Sequence, residues 1–301
     1  MAQAKIIENE TFHRSLEAPW ARTFMALMRP SVVEELVDET AFPFSQLLPG
    51  FIRKHWQSIK DKTLVDPFRL GWLIDELVRV QDVQGDLVEC GSFKGGSGLL
   101  MARALKTLGI DKQVHLFDSF EGLPEPDATH DKGYKKGVFK SEYDELVQTV
   151  EEQGLQDIIT VHRGWFSDTV GPFLSSYTGE ISLLHIDCDL YNSTNDCFPP
   201  FYPLVAEGGA IVFDDFNDGG RGEKTAILEY LAGQSPVLHV GPAPQTCMIK
   251  GESLHEQGHV AEDAGFTYSL DRLLKHSTYL NWLNDSTGTH YEDELAPFLP
   301  G

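Results

Sequence analysis

Between Asp86 and Gly251 short apolar runs alternate with helical patterns, an order that restricts the chain to a largely parallel sheet with helices on both faces. The expected strands are 86–91, 113–118, 159–163, 181–187, 209–214, 236–241 and 246–251. Only Pro242 to Gln245 separates the last two, too short for a helical crossover, so they should form an antiparallel hairpin at the sheet edge. The expectation is therefore an α/β, doubly wound seven-stranded sheet with its last strand antiparallel. Residues 1–65, rich in aromatic residues and prolines, read as an N-terminal helical cap with helices near 16–28 and 51–61. Residues 66–251 form the core, opening with Asp66-Pro67 as the cap of a helix over 68–80. Its Leu70, Leu73, Ile74, Leu77 and Val78 recur at helical spacing and should pack on the sheet. Residues 252–301 remain as an acidic C-terminal extension.

The first strand runs into DLVECGSFKGGSG, where Gly91, Gly95, Gly96 and Gly98 clear side chains from a turn leading to a helix. Orphan N–H groups at that helix start suit a nucleotide-like cofactor, although a lone glycine-rich turn can also be an ordinary loop. The G-x-G-x-x-G dinucleotide spacing is absent, and the acidic Glu89 lies inside the strand. A carboxylate favours the cationic S-adenosylmethionine over a pyrophosphate. Asp118 ends the second strand 27 residues after Gly91, where a carboxylate can accept both ribose hydroxyls or simply form a turn.

A net charge of −22, from 24 basic and 46 acidic residues, argues against nucleic-acid and membrane partners. Cys90, Cys188, Cys197 and Cys247 lack disulfide or zinc-finger spacing and fit a reducing cytoplasm. No apolar run approaches the roughly 20 residues of a membrane span, and the amino terminus lacks a signal-peptide pattern.

The segment from Ser119 to Lys140 is a long Gly-, Pro- and charge-rich loop at the ligand-binding edge, expected to act as a lid that orders with ligands, the alternative being a disordered insertion. His130 within it is either a base or a solvated loop histidine. Gly164-Trp165-Phe166 follows the third strand as the wall of an adenine pocket or as a core contact at a helix start. Asp187 and Asp189 end the fourth strand, and Asp214 and Asp215 end the fifth. Neighbouring strands would bring these carboxylates together, and a hard divalent cation such as Mg2+ relieves their repulsion.

The motifs DLVECGSFKGGSG, FDSFEGLP, GWFSDT, HIDCDLYNST and GGAIVFDDF, in this order, resemble the macrocin O-methyltransferase family over roughly residues 66–251. The resemblance implies a sheet of the S-adenosylmethionine methyltransferase type and Mg2+-assisted methylation of a hydroxyl on a small-molecule natural product, at a sugar or polyol moiety. It also implies metal ligands Asp187, Asp214 and Asp215. The expected cofactor set is Glu89, Gly91, Ser92, Gly95, Ser97, Asp118, Ser119, Gly164, Trp165 and Phe166. Asp187 or Asp189 would take the acceptor proton. Cys90, Ser92 and Phe93 in the glycine motif and the extension after Glu252 depart from the family pattern. The residues would serve a catechol acceptor equally well, and self-association into a homo-oligomer is left open. A fold that binds cofactor without turnover is disfavoured by the intact Asp set. His255-Glu256-Gln257-Gly258-His259 matches the zinc-protease pattern H-E-x-x-H, but Gly258 weakens the helix that pattern needs, and a solvated acidic segment is the plainer reading.

Overall fold

The computed structural model describes residues 5–7, 50–217, 222–242, 244–252, 259–263 and 266–269. In chain order its elements are β1 (Lys5–Ile7), α1 (Gly50–Ile59), α2 (Pro67–Arg79), β2 (Asp86–Cys90), α3 (Gly96–Leu108), β3 (Val114–Asp118), α4 (Tyr143–Glu152) and β4 (Ile159–Arg163). There follow α5 (Phe166–Ser176), β5 (Ile181–Ile186), α6 (Tyr191–Phe201), β6 (Val205–Phe213), α7 (Glu223–Leu231), β7 (Val237–Val240), β8 (Thr246–Ile249), β9 (His259–Asp263) and β10 (Phe266–Ser269). The helix expected near 16–28 lies outside the described residues, whereas the one expected at 51–61 is α1.

All seven expected core strands form, in the spatial order β7-β8-β6-β5-β2-β3-β4. Strands β2 to β6 run parallel, and β8 is antiparallel to both β6 and β7. The hairpin β7–β8 is as expected, but it is not the edge. Strand β10 pairs parallel to β7, followed by β9 and β1, which makes a ten-stranded sheet among the described residues. Chain beyond Glu252 thus joins the sheet, because the open N–H and C=O row of β7 is a template for another strand. His259 opens β9, whereas a zinc-protease pair needs both histidines on one helix; residues 255–258 lie outside the described residues.

The two-residue period of the strands divides the core. Leu87, Leu116, Leu183 and Val212 face the cluster containing α2 and α3, and Val88, Phe117, Leu184 and Phe213 face the one containing α6 and α7. Each side chain is fully buried. Asp66 caps α2 by accepting from the N–H groups of Phe68 (2.8 Å) and Arg69 (3.2 Å), and Pro67 occupies the first turn. Leu70, Leu73, Ile74 and Leu77 pack inward as their spacing requires. Val78 is 38% exposed, because it lies at the rim of that stripe.

The parallel ladder continues past the strand ends and sets the site. Gly91 N donates to Phe117 O, Asp187 N to Cys90 O, Asp214 N to Ile186 O and Gly164 N to Asp118 O, each at 2.9 Å. Five strand tips are thereby locked in register before any side chain is considered.

Candidate active site

A cavity of about 550 Å³ opens above the carboxyl ends of β2 to β6, where an open α/β sheet places its ligand. Gly91, Ser92 and Ser97 line it from the first turn, Asp118 and Ser119 from β3, and Gly164, Trp165 and Phe166 from β4. Asp187 and Asp189 line it from β5, Asp214 and Asp215 from β6. The expected residues Glu89 and Gly95 do not line it. Glu89 is fully buried on β2 and pairs with His185 Nδ1 at 2.9 Å, since in a parallel strand a residue one place before the tip is covered by its neighbours. Gly95 is the left-handed N-cap of α3, with φ +82°.

Gly91 lines the cavity, and the glycines of this turn also allow close packing of protein on protein. A Cβ on Gly91 would stand 1.7 Å from the Asp187 carbonyl oxygen, and one on Gly96 would stand 2.8 Å from the Lys62 carbonyl. They let the turn close against β5 and against the segment before α2, so the ligand's space is set by packing of protein on protein.

Asp118 accepts from the backbone N–H groups of Phe93 and Phe120, each at 2.7 Å. Burial raises its carboxyl to about 6, outweighing those two donors. Hydroxyl donors of a ribose would prefer the ionised form. Cofactor affinity is therefore expected to be level above pH 6 and to fall as the pH drops below it, by about tenfold per unit, because proton and ligand then compete for one carboxylate. Calorimetry from pH 8 to pH 5 checks this, and Asp118→Ala should weaken binding by about 1.5 to 3 kcal/mol and flatten the profile. The buried Ser92 hydroxyl has no hydrogen-bond partner among the described residues, which fits a polar ligand in this turn.

His185, Asp187 and Asp214 bring ligand atoms within 4.8 Å of one another; Asp187 and Asp214 line the cavity, whereas His185 is fully buried and does not. Asp187 and Asp214 offer the oxygen ligands that a hard cation prefers, whereas burial of the His185 imidazole is outweighed by Asp214 and Glu89, which hold it well above its ordinary range as a charged partner of the carboxylates. Asp215 lines the same cavity, and its N–H donates to the buried Glu223 at 3.2 Å. Burial, together with Asp214 and Asp215, pushes the Asp187 carboxyl well above the usual range. Burial acts on Asp214 in the same direction, but Arg69, His185 and Gln245 overcome it and hold the carboxyl at about 2. Asp189 sits in the left-handed region at φ +61°, a strained conformation for a non-glycine residue.

Sequence reasoning missed Arg69, His185 and Gln245. Arg69 lies between Phe68 and Leu70 on a buried helix and is itself buried, ion-paired with Asp66 and Asp214. Its signal was a charged residue three places after the Asp66 cap, on an otherwise apolar stretch. His185 precedes Asp187 by two and so shares its face of β5, the only ring in a run of apolar residues. Gln245 donates to Asp214 Oδ1 at 2.6 Å, and nothing in its turn pointed to that.

The loop from Ser119 to Lys140 is tied down. Asp131 accepts from Tyr191 N and Gly222 N, each at 3.0 Å, serving the N-termini of α6 and α7 together. His130 stacks on Tyr191 with ring centres 4.0 Å apart, holds Asp127, and is not among the cavity's lining residues. The loop's near part contributes Gly122, Leu123, Pro124, Glu125 and Phe139 to the wall. All four cysteines are buried free thiols, and no helix of the described residues is long and apolar enough to cross a membrane.

A reversed-strand sheet of this order, with a carboxylate at the tip of β3 and a cavity over the strand ends, is that of an S-adenosylmethionine-dependent methyltransferase. The fold is shared with the O-methyltransferase NovP, at a TM-score of 0.56 and 27% identity over 64% of this chain and 83% of that one. It is shared too with the calicheamicin methyltransferase CalS11, at a TM-score of 0.57 and 18% identity over 81% of this chain and 94% of that one. Residues 62–233 match the macrocin-O-methyltransferase (TylF) family model, and the chain belongs to that family. It is 33% identical, over 56% of its length and 67% of the relative's, to the 8-demethyl-8-(2,3-dimethoxy-alpha-L-rhamnosyl)-tetracenomycin-C 4'-O-methyltransferase of Streptomyces olivaceus. It is 31% identical to the demethyldecarbamoylnovobiocin O-methyltransferase of Streptomyces niveus, over 45% of this chain and 54% of that relative. The chain is thus an O-methyltransferase that uses S-adenosylmethionine.

Proposed function

We propose that the chain methylates a hydroxyl on the sugar or polyol portion of a small-molecule natural product, with Mg2+ held at Asp187, Asp214 and Asp215 and with His185 at hand. The observation that carries this reading is that Asp187, Asp214 and Asp215 line the same cavity as Asp118 and the Gly164–Phe166 turn, with ligand atoms of Asp187 and Asp214 within 4.8 Å of each other. The relatives whose names mention antibiotic substrates support the acceptor class. A neutral or cationic acceptor also suits a protein of net charge −22, whereas nucleic acid does not. Four buried thiols suit a reducing cytoplasm. Residues 1–65 and 252–301, flanking the core, are the segments assigned to acceptor choice.

In this reading Asp118 holds the cofactor ribose and Trp165 and Phe166 pack on its base. Methyl transfer then needs alignment more than bond activation, since the sulfonium carbon is already electrophilic; acceptor oxygen and methyl carbon must stand about 3 to 3.5 Å apart. A bound divalent cation supplies positive charge that acidifies the acceptor hydroxyl. Asp187, lining the cavity beside Asp214 and Asp215, takes that proton at one of its oxygens, or Asp189 does.

A methyl-transfer screen across glycosides and catechols, run with added Mg2+ and with EDTA and read by S-adenosylhomocysteine release, tests the proposal. Glycosides are expected to turn over and EDTA to abolish the signal. Preference for catechols, or full activity in EDTA, would overturn the acceptor class or the metal respectively.

A further inference from the structure

Arg69 is the one guanidinium on the cavity wall among the described residues, and it is held by several partners. Its Nε donates to Asp66 Oδ2 at 2.6 Å and one terminal nitrogen donates to Leu64 O at 3.1 Å, while the other pairs with Asp214 Oδ2. Asp66 is pinned in turn by the first N–H groups of α2. The fork is therefore built into the helix start and is not a loose surface side chain. Asp214 Oδ1 meanwhile takes Gln245 Nε2 at 2.6 Å and faces His185 Nε2 at 3.5 Å. Both oxygens of Asp214 are thus engaged within the protein.

We infer that Arg69 is a built-in competitor of the divalent cation: in the ligand-free protein its guanidinium occupies Asp214, and metal binds only as that pair gives way. This rests on the metal reading proposed above. The physical case is one of charge and of space. A fixed positive charge beside the donor set repels a second cation through a low-dielectric interior, and the guanidinium competes for the Asp214 Oδ2 lone pairs that a cation would use. Arg69 stabilises the carboxylate cluster, whose members would otherwise repel one another, and in doing so it lowers the affinity for metal. It is a positioning residue that sets the metal requirement.

A purely structural role predicts the opposite sign, because loosening Asp214 would weaken metal binding. Mn2+ titration of the ligand-free protein, followed by electron paramagnetic resonance and calorimetry, separates the two. Arg69→Met should bind Mn2+ roughly tenfold or more tighter than the parent, the repelling charge being gone. Arg69→Lys keeps the charge but cannot hold Asp66, Leu64 and Asp214 together, so its affinity should rise by a few-fold. Thermal melts establish that each variant is folded, and if Arg69→Met is not, Arg69→Lys carries the test. Equal or weaker Mn2+ binding in the folded variants overturns the inference and leaves the metal reading standing. No Mn2+ binding by the parent or by either variant overturns both.

Discussion

Replacing Asp187 by alanine is expected to lower kcat by roughly 10²- to 10⁴-fold, the range for losing a positioned proton acceptor, while cofactor affinity stays within about threefold of the parent. The asymmetry follows from the geometry. Asp187 lines the cavity from the tip of β5 beside Asp214, while Asp118 and the Gly164–Phe166 turn belong to the tips of β3 and β4. Loss of Asp187 from this carboxylate wall removes both the proposed proton acceptor and one proposed metal ligand. Asp187→Asn keeps the shape and removes the basicity, so it should fall nearly as far. Steady-state kinetics alongside cofactor calorimetry measure both quantities. More than a tenth of parental kcat in Asp187→Asn would place the base elsewhere, with Asp189 the next candidate.

Gly91→Ala is expected to be the most damaging single-methyl change to the fold near the site. The residue has φ +91°, and its new Cβ would stand 1.7 Å from the Asp187 carbonyl oxygen, well inside any real contact. Strain and overpacking each cost about 1 to 3 kcal/mol, so a loss of roughly 3 kcal/mol or more is expected. At the usual scale for a domain of this size that lowers Tm by about 6 to 12 °C. The backbone that must move carries Asp187, so activity should fall by more than the lost stability accounts for. Gly109→Ala, at the C-cap of α3 with φ +68° and nothing within 4 Å of its Cβ, isolates the cost of positive φ alone. A Gly91→Ala melt no lower than that of Gly109→Ala would show that β5 yields freely, and the packing argument would fail.

Much of this molecule was legible in one dimension. Alternating apolar runs and helical patterns specify a doubly wound sheet, and four residues between the last two strands force a hairpin, because neither depends on distant chain. Asp118, Asp187, Asp189, Asp214 and Asp215 were found at strand ends for the same local reason, and they share one cavity because parallel strands put all their carboxyl ends on one side. What lay beyond the sequence were the relations between elements. That β7 is not an edge depends on which strand comes to pair with it, and β10 is 26 residues further on from Val240 to Phe266. That Glu89 points to His185 and not to the cavity depends on the neighbouring strand's register. That Arg69 reaches Asp214 across 145 residues depends on how α2 docks on the sheet, which no local pattern encodes. Backbone preference and hydrophobic period act between near neighbours and are written along the chain; the pairing of buried charges is a property of the packed molecule, decided only when the low-dielectric core forces each one to find a partner.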